Sequence, residues 1–156
     1  MAVRFGVVGT GNIGSQHIQL LNSGKVAGAT VAATASRSTP DLVTGVPHFV
    51  DYRQMFSDAD INAVLIATPT MSHVEVAQAA LEHNFHVVME KPIAMSIHQA
   101  ETLLARVPDD LKFAVMLNQR FHPAYAKLKQ LLVDDAIGSL QRVSWTMTAW
   151  YRPDIY

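Results

Sequence analysis

The sequence predicts an α/β fold built on a doubly wound parallel sheet, and three observations carry that prediction. Apolar runs of strand length recur along the 156 residues. Amphipathic stretches of helical spacing separate them, and Gly9, Gly11 and Gly14 join the first run to the first such stretch. Strands alternating with helices pair in parallel through right-handed crossovers.

The elements follow in order. Val3, Phe5, Val7 and Val8 form a strand that stops at Gly9, and Ile13, Ile18 and Leu21 share one face of the helix that follows. Ala29–Ala35 is a small, apolar second strand, and Ser38-Thr39-Pro40-Asp41 turns the chain. Tyr52–Phe56 reads as a short helix with Met55 and Phe56 facing inward, and Ala63–Ala67 as a buried strand. Ser72-x-x-Glu75 reads as a capping box opening a helix with Val74, Ala77 and Leu81 inside. His86–Met89 is the next strand, and Ser96-x-x-Gln99 a second capping box. Its helix has Ile97, Ala100, Leu103, Leu104 and Val107 as the buried face. Phe113–Leu117 is a further strand, and Pro123–Val133 a helix carrying Tyr125, Leu128, Leu131 and Leu132.

Leu140–Trp150 departs from this pattern. Val143, Trp145, Met147 and Ala149 alternate with polar residues, which marks a half-exposed strand of the antiparallel kind. Residues 1–138 are therefore expected to form one domain and 139–156 to open a second, α+β domain that is absent. An apolar row of this kind is a template for another chain, so a homo-oligomer through Leu140–Trp150 is expected.

Composition narrows the function classes. Hydrophobic residues make up 49% and charged residues 16%, the balance of a globular chain. With no cysteine, a disulfide framework and a thiolate metal site are both excluded. The net charge of −1 comes with no basic stripe, so a nucleic-acid partner is not expected. No apolar run is long enough to span a bilayer, so no membrane partner is expected either. The first residues read as a strand rather than a signal peptide, and a cytoplasmic location is the default expectation.

The glycines carry the chemistry. Gly9-Thr10-Gly11-Asn12-Ile13-Gly14 has G-x-G-x-x-G spacing between a strand and a helix, the context of a dinucleotide fingerprint. Gly9 permits the turn, Gly11 lets the backbone approach a pyrophosphate, and Gly14 lets the helix pack closely on the strand. The helix N-terminus offers unpaired N–H groups and a partial positive charge to the phosphates. No acid ends the second strand; Ser36 and Arg37 stand there instead. Arg37 can take a 2′-phosphate with two parallel N–H bonds, which favours NADP over NAD. Stacking of Arg37 on adenine would favour neither.

The chain resembles the glucose–fructose oxidoreductase / inositol dehydrogenase / MocA-type family of NAD(P)-dependent oxidoreductases. The resemblance rests on the glycine segment, Ala67-Thr68-Pro69 with His73 beyond it, Glu90-Lys91-Pro92, Asn118 to Pro123 and Trp150 to Pro153. It implies a Rossmann fold in which Gly9, Thr10, Gly11, Asn12 and Ile13 carry the pyrophosphate. Ala67, Thr68, Pro69 and His73 would border the ribose and nicotinamide, with Glu90, Lys91 and Pro92 beside the nicotinamide. Lys91 would be the catalytic general acid–base, and Asn118 would lie near the nicotinamide. Arg120, Trp150 and Arg152 would lie toward a polyol or sugar substrate. The lysine's usual aspartate and histidine partners come from the second domain and fall beyond Tyr156.

Plainer readings stand beside these. By position alone Lys91 reads as a solvated residue at a strand end, and His73 as decoration of a helix's first turn. His17, His83, His86, His98 and His122 lack ligand spacing and read as surface or capping residues, and no metal site is expected. Trp145 and Trp150 read as packing residues of a second domain's interface. Two other function classes compete: a catalytically silent dinucleotide-binding module or truncated remnant, and a methyltransferase, against which Glu90-Lys91-Pro92 argues.

Overall fold

The computed structural model describes residues 2–37 and 45–146, which fall into two compact units dividing after Leu117. In the first unit the elements are β1 (Val3–Val8), α1 (Asn12–Asn22), β2 (Ala29–Ala35), β3 (His48–Phe49) and α2 (Tyr52–Asp58). They continue as β4 (Ala63–Ile66), α3 (Thr70–Glu82), β5 (His86–Met89), α4 (Ile97–Leu104) and β6 (Phe113–Val115). The six strands form one sheet in the order β3-β2-β1-β4-β5-β6, with every pair parallel. This is the Rossmann fold, and the strand order reverses between β1 and β4.

Side chains leave a strand on alternate faces, and the core divides accordingly. Val7 and Leu65 pack with Ile18 and Leu21 of α1 on one face. Val8, Val64 and Ile66 pack on the other with Met55 and Phe56 of α2 and Val76, Ala77 and Ala80 of α3. Helices thus cover both faces of the central strands, and both faces of β4 are fully buried. Such burial is why these strands read as continuous apolar runs.

Several local expectations are corrected. Helix α3 begins at Thr70, with Pro69 at its cap and no side-chain cap bond, so the Ser72-Glu75 box does not form. Ser72 Oγ donates to Pro69 O at 2.9 Å, and Glu75 turns outward to Tyr52 and Arg53. The Ser96 cap does form, its Oγ accepting from the Gln99 N–H at 3.2 Å. In α4 only Leu103 is fully buried; Ile97 is 79% exposed, Leu104 is exposed, and Val107 lies past the helix end. Within α1, Ile13 is exposed, because it sits in the first turn above the strand ends. Strand β6 stops at Val115, two residues early. Strand β3 is a two-residue addition that the sequence pattern does not announce.

In the second unit, a 3₁₀ turn spans Asn118–Phe121 and α5 spans Pro123–Val133. His122 caps α5 by accepting from the Ala124 N–H at 3.3 Å. The expected strand at Leu140–Trp150 is corrected over its described part: residues 140–146 have no strand structure. A strand is defined by its ladder partner, and no described segment pairs with this one. The Trp145 ring instead lies 5.1 Å from the Tyr125 ring, centroid to centroid. The remainder, residues 147–150, lies outside the described residues, as do Arg152 and the turn at Ser38–Asp41. No described helix is long and apolar enough to cross a membrane.

Candidate functional site

A cavity of about 730 Å³ opens where the strand order reverses, above the carboxyl ends of β1, β2 and β4. Its size falls in the range of small-molecule and cofactor sites. Its walls are Gly9–Ile13 after β1, Ser36 and Arg37 after β2, and Ala67–Pro69 after β4. Ten of the site positions singled out from the sequence, Gly9–Ile13, Ser36, Arg37 and Ala67–Pro69, meet in this cleft, and Val50, Tyr52, Ser72 and Val76 join them.

Backbone bonds hold the three walls in register. Gly9 N donates to Ala35 O and Ala67 N to Val8 O, both at 2.8 Å, carrying the ladder one step beyond each strand. Gly9 has φ +92°, and a Cβ there would lie 2.6 Å from Ala67 O. At Gly14 a Cβ would lie 1.9 Å from Gly9 O, so helix and turn touch through backbone alone. Beside Gly11, by contrast, a Cβ would meet nothing within 4 Å, which leaves that backbone open to the cavity. Gly11 is also the N-cap of α1, with no side-chain cap bond. The N–H groups of the first turn therefore have no intrahelical acceptor.

Polar contacts tie the β1 and β2 sides of the cleft together. Thr10 Oγ1 and Ser36 Oγ are 2.6 Å apart, Ser15 Oγ donates to Thr10 O at 2.9 Å, and Ser36 N donates to Phe49 O at 3.0 Å. Strand β3, missed from the sequence, is thus what fixes the Ser36-Arg37 turn. On the opposite wall, Thr68 Oγ1 is buried with no partner among the described residues. Open first-turn donors, a glycine backbone without a Cβ and an orphaned hydroxyl on the facing wall fit a dinucleotide.

The other expected residues sit elsewhere. His73 is 1% exposed and does not reach the cavity; Nδ1 lies 2.7 Å from Pro92 O and Nε2 2.9 Å from Thr68 O. Glu90, Lys91 and Pro92 form the turn after β5, joined by a cis peptide bond between Lys91 and Pro92. Glu90 N donates to Ile66 O at 2.9 Å, and Lys91 is exposed. The surface reading of His17 is corrected: Nε2 lies 2.8 Å from Glu90 Oε1, with the two side chains only 14% and 17% exposed. Its spacing after Gly14 on α1 was the available signal, since residues one turn apart share the face that meets the strand ends. Asn118 and Arg120 are exposed in the second unit's 3₁₀ turn. Trp150 lies outside the described residues. No cluster of potential metal ligands occurs among those described.

The fold and this cleft define a Rossmann-type, dinucleotide-binding α/β protein. A family model described as "Oxidoreductase family, NAD-binding Rossmann fold" (GFO_IDH_MocA) matches residues 3–118. The chain belongs to that family. An inositol 2-dehydrogenase of Arthrobacter sp. (strain FB24) is 32% identical over 150 residues, covering 88% of this chain and 43% of its own. An uncharacterized oxidoreductase, YrbE, of Bacillus subtilis (strain 168) is 27% identical over 144 residues, covering 86% and 41%. Among solved structures, scyllo-inositol dehydrogenase from Lactobacillus casei, with bound cofactor NAD(H) and scyllo-inositol, superposes with a TM-score of 0.79 at 31% identity. That alignment covers 88% of this chain and 43% of the other. The chain thus spans less than half the length of these relatives.

Proposed function

We propose that this chain is the nucleotide-binding part of an oxidoreductase that moves a hydride between a nicotinamide dinucleotide and a hydroxyl carbon of a polyol or sugar. The observation that carries the reading is the cleft between β1 and β4, with Gly9–Ile13 and the uncapped start of α1 on one wall and Thr68 on the other. The relative from Lactobacillus casei, whose structure holds NAD(H) and scyllo-inositol, supports both the cofactor and the substrate class.

When bound, the nicotinamide group supplies the hydride exchange. The first-turn N–H groups of α1 receive the pyrophosphate, and the Thr68 hydroxyl gains the partner it lacks. Ser36 and Arg37 face the adenosine ribose, where a guanidinium in place of an acid favours NADP over NAD. Lys91 Nζ takes the hydroxyl proton as the carbonyl forms and returns it in the reverse direction. In this reading 1–138 is the nucleotide domain and 139–156 opens a substrate domain. Exposed Leu140, Val143 and Trp145 support self-association through that segment. Fluorescence titration with NADH and NADPH tests the reading: saturable binding that is lost in Gly14→Ala supports it, and absence of binding by the folded chain overturns it.

A further inference from the structure

The His73 ring has a bonding arrangement that a neutral imidazole cannot complete. Both nitrogens face backbone carbonyl oxygens at normal hydrogen-bond distance, Pro92 O at 2.7 Å and Thr68 O at 2.9 Å. A carbonyl oxygen only accepts, and a neutral ring carries a single N–H. One lone pair would then face another across a contact too enclosed for water, since the residue is 1% exposed. An imidazolium donates to both.

We propose that His73 is a positioning residue for the Glu90-Lys91-Pro92 turn, holding it as an imidazolium clamped between the carbonyls of Pro92 and Thr68. The two carbonyls belong to different loops. Thr68 follows β4 and lines the cavity, whereas Pro92 follows β5 and does not. The clamp joins them, and Lys91 is thereby fixed between two anchored neighbours. Pro92 is held by His73; Glu90 is held by Ile66 O through its N–H and by His17 through its carboxylate.

Among the described residues the charge has no carboxylate partner to share it. Glu75, on α3 itself, bonds Tyr52 and Arg53 of α2, and Glu90 bonds His17 of α1. β4 carries no titratable side chain. On β5, His86 accepts from the Lys112 N–H, and in α4 His98 and Glu101 are exposed. Glu82 and His83 lie at the far end of α3.

The proposal predicts a bond count that depends on protonation: two with the proton, one without it. Long-range ¹H–¹⁵N NMR of the whole chain at about pH 6 reads the ring state directly, within the range where histidine charge changes. Both nitrogens are expected to show the imidazolium pattern. A neutral tautomer there would overturn the clamp.

The consequence for the cleft rests on the proposed function and is read separately. NADH affinity of the unmodified chain, followed from acid to alkaline pH, should fall about twofold to tenfold, the worth of one hydrogen bond, where the NMR shows the ring losing its proton. In His73→Gln, whose amide donates on one side only, that change should be absent while the weaker affinity persists. An equal pH dependence in both proteins would overturn the positioning role. If neither protein binds NADH, the reading of the cleft fails, and the NMR result still decides the clamp.

Discussion

His17 Nε2 and Glu90 Oε1 stand 2.8 Å apart, joining the helix that follows the glycine loop to the turn that carries Lys91. The pair bridges 73 residues of sequence, and both side chains are largely shielded from water. The glycine-loop helix and the Lys91 turn are therefore joined directly rather than standing as two separate loops.

Removing His17 leaves Glu90 Oε1 shielded and without its partner, while Oε2 keeps the Lys91 N–H at 3.3 Å. His17→Ala is expected to destabilise the protein by about 1–3 kcal/mol, the usual cost of an unsatisfied polar group away from water. His17→Gln, which can still donate to Glu90, should recover part of the loss. Urea denaturation of the three proteins checks this, and equal midpoints for all three would contradict it.

Gly14 gives a sharper steric prediction. A methyl group there would sit 1.9 Å from Gly9 O, so Gly14→Ala must push the start of α1 away from the turn. We expect a stability loss of about 1–3 kcal/mol, typical of overpacking, together with loss of dinucleotide binding. Gly11→Ala meets no protein atom and should leave the thermal midpoint unchanged while weakening the dinucleotide. The contrast between stability and binding at two glycines three residues apart is the readout.

The sheet was legible because buried parallel strands are apolar on both faces. Ala29–Ala35 and His86–Met89 have the ends expected from the sequence, and so does α5 at Pro123–Val133. The misses have physical causes. At two residues, β3 is too short to show a period, yet its Phe49 O fixes Ser36. Ser72 resembled a cap, but Pro69 starts α3 earlier, and the box geometry then has no free end to occupy. Ile97 and Leu104 matched a helical stripe, although α4 is short and buries only Leu103. The roles of His17 and His73 depend on partners 73 and 19 residues away, which a single sequence does not display.

Tyr52, which lines the cleft, forms with Arg53 and Glu75 a group that gives a pH dependence. Burial first, and then the 3.0 Å bond to Glu75, push the Tyr52 hydroxyl up to about 12 from its ordinary 10.0. A group whose folded value is raised contributes stability that is complete below its unfolded value and lost as pH rises through the folded one. Tyr52 should therefore stabilise fully below about pH 10 and cease to do so above about pH 12. The Glu75 carboxyl is held below its usual range, first by Tyr52 and then by Arg53, so its contribution is present at neutral pH and lost on acidification. Urea midpoints across the alkaline range should fall more steeply for the parent than for Tyr52→Phe. Parallel curves would rule out this contribution.

In the proposed function, cofactor choice turns on Arg37, which lines the cleft where the second strand ends without an acid. A charge-assisted bond to a 2′-phosphate contributes about 1.5–3 kcal/mol, or roughly a tenfold to hundredfold preference for NADPH over NADH. Arg37→Ala should erase that preference by weakening NADPH alone. Calorimetry showing equal affinities in the parent, or an unchanged ratio in the variant, would show that the guanidinium does not select.

Binding and turnover should separate in this chain. Hydride transfer requires the substrate carbon held against the nicotinamide, and such positioning accounts for roughly 7–11 kcal/mol of barrier. Here the glycine wall and the Thr68 wall are complete, but Lys91 is exposed and does not line the cavity. A water-exposed lysine loses the oriented contact with a hydroxyl that general acid–base work requires. We therefore expect NADH and NADPH to bind while polyols such as scyllo-inositol give no measurable cofactor reduction. Supplying the remaining part of a full-length relative in trans should restore turnover, and Lys91→Ala should then abolish it without changing dinucleotide affinity. Steady reduction of cofactor by the 156-residue chain alone would instead show that the exposed Lys91 turn carries out acid–base work without any further part.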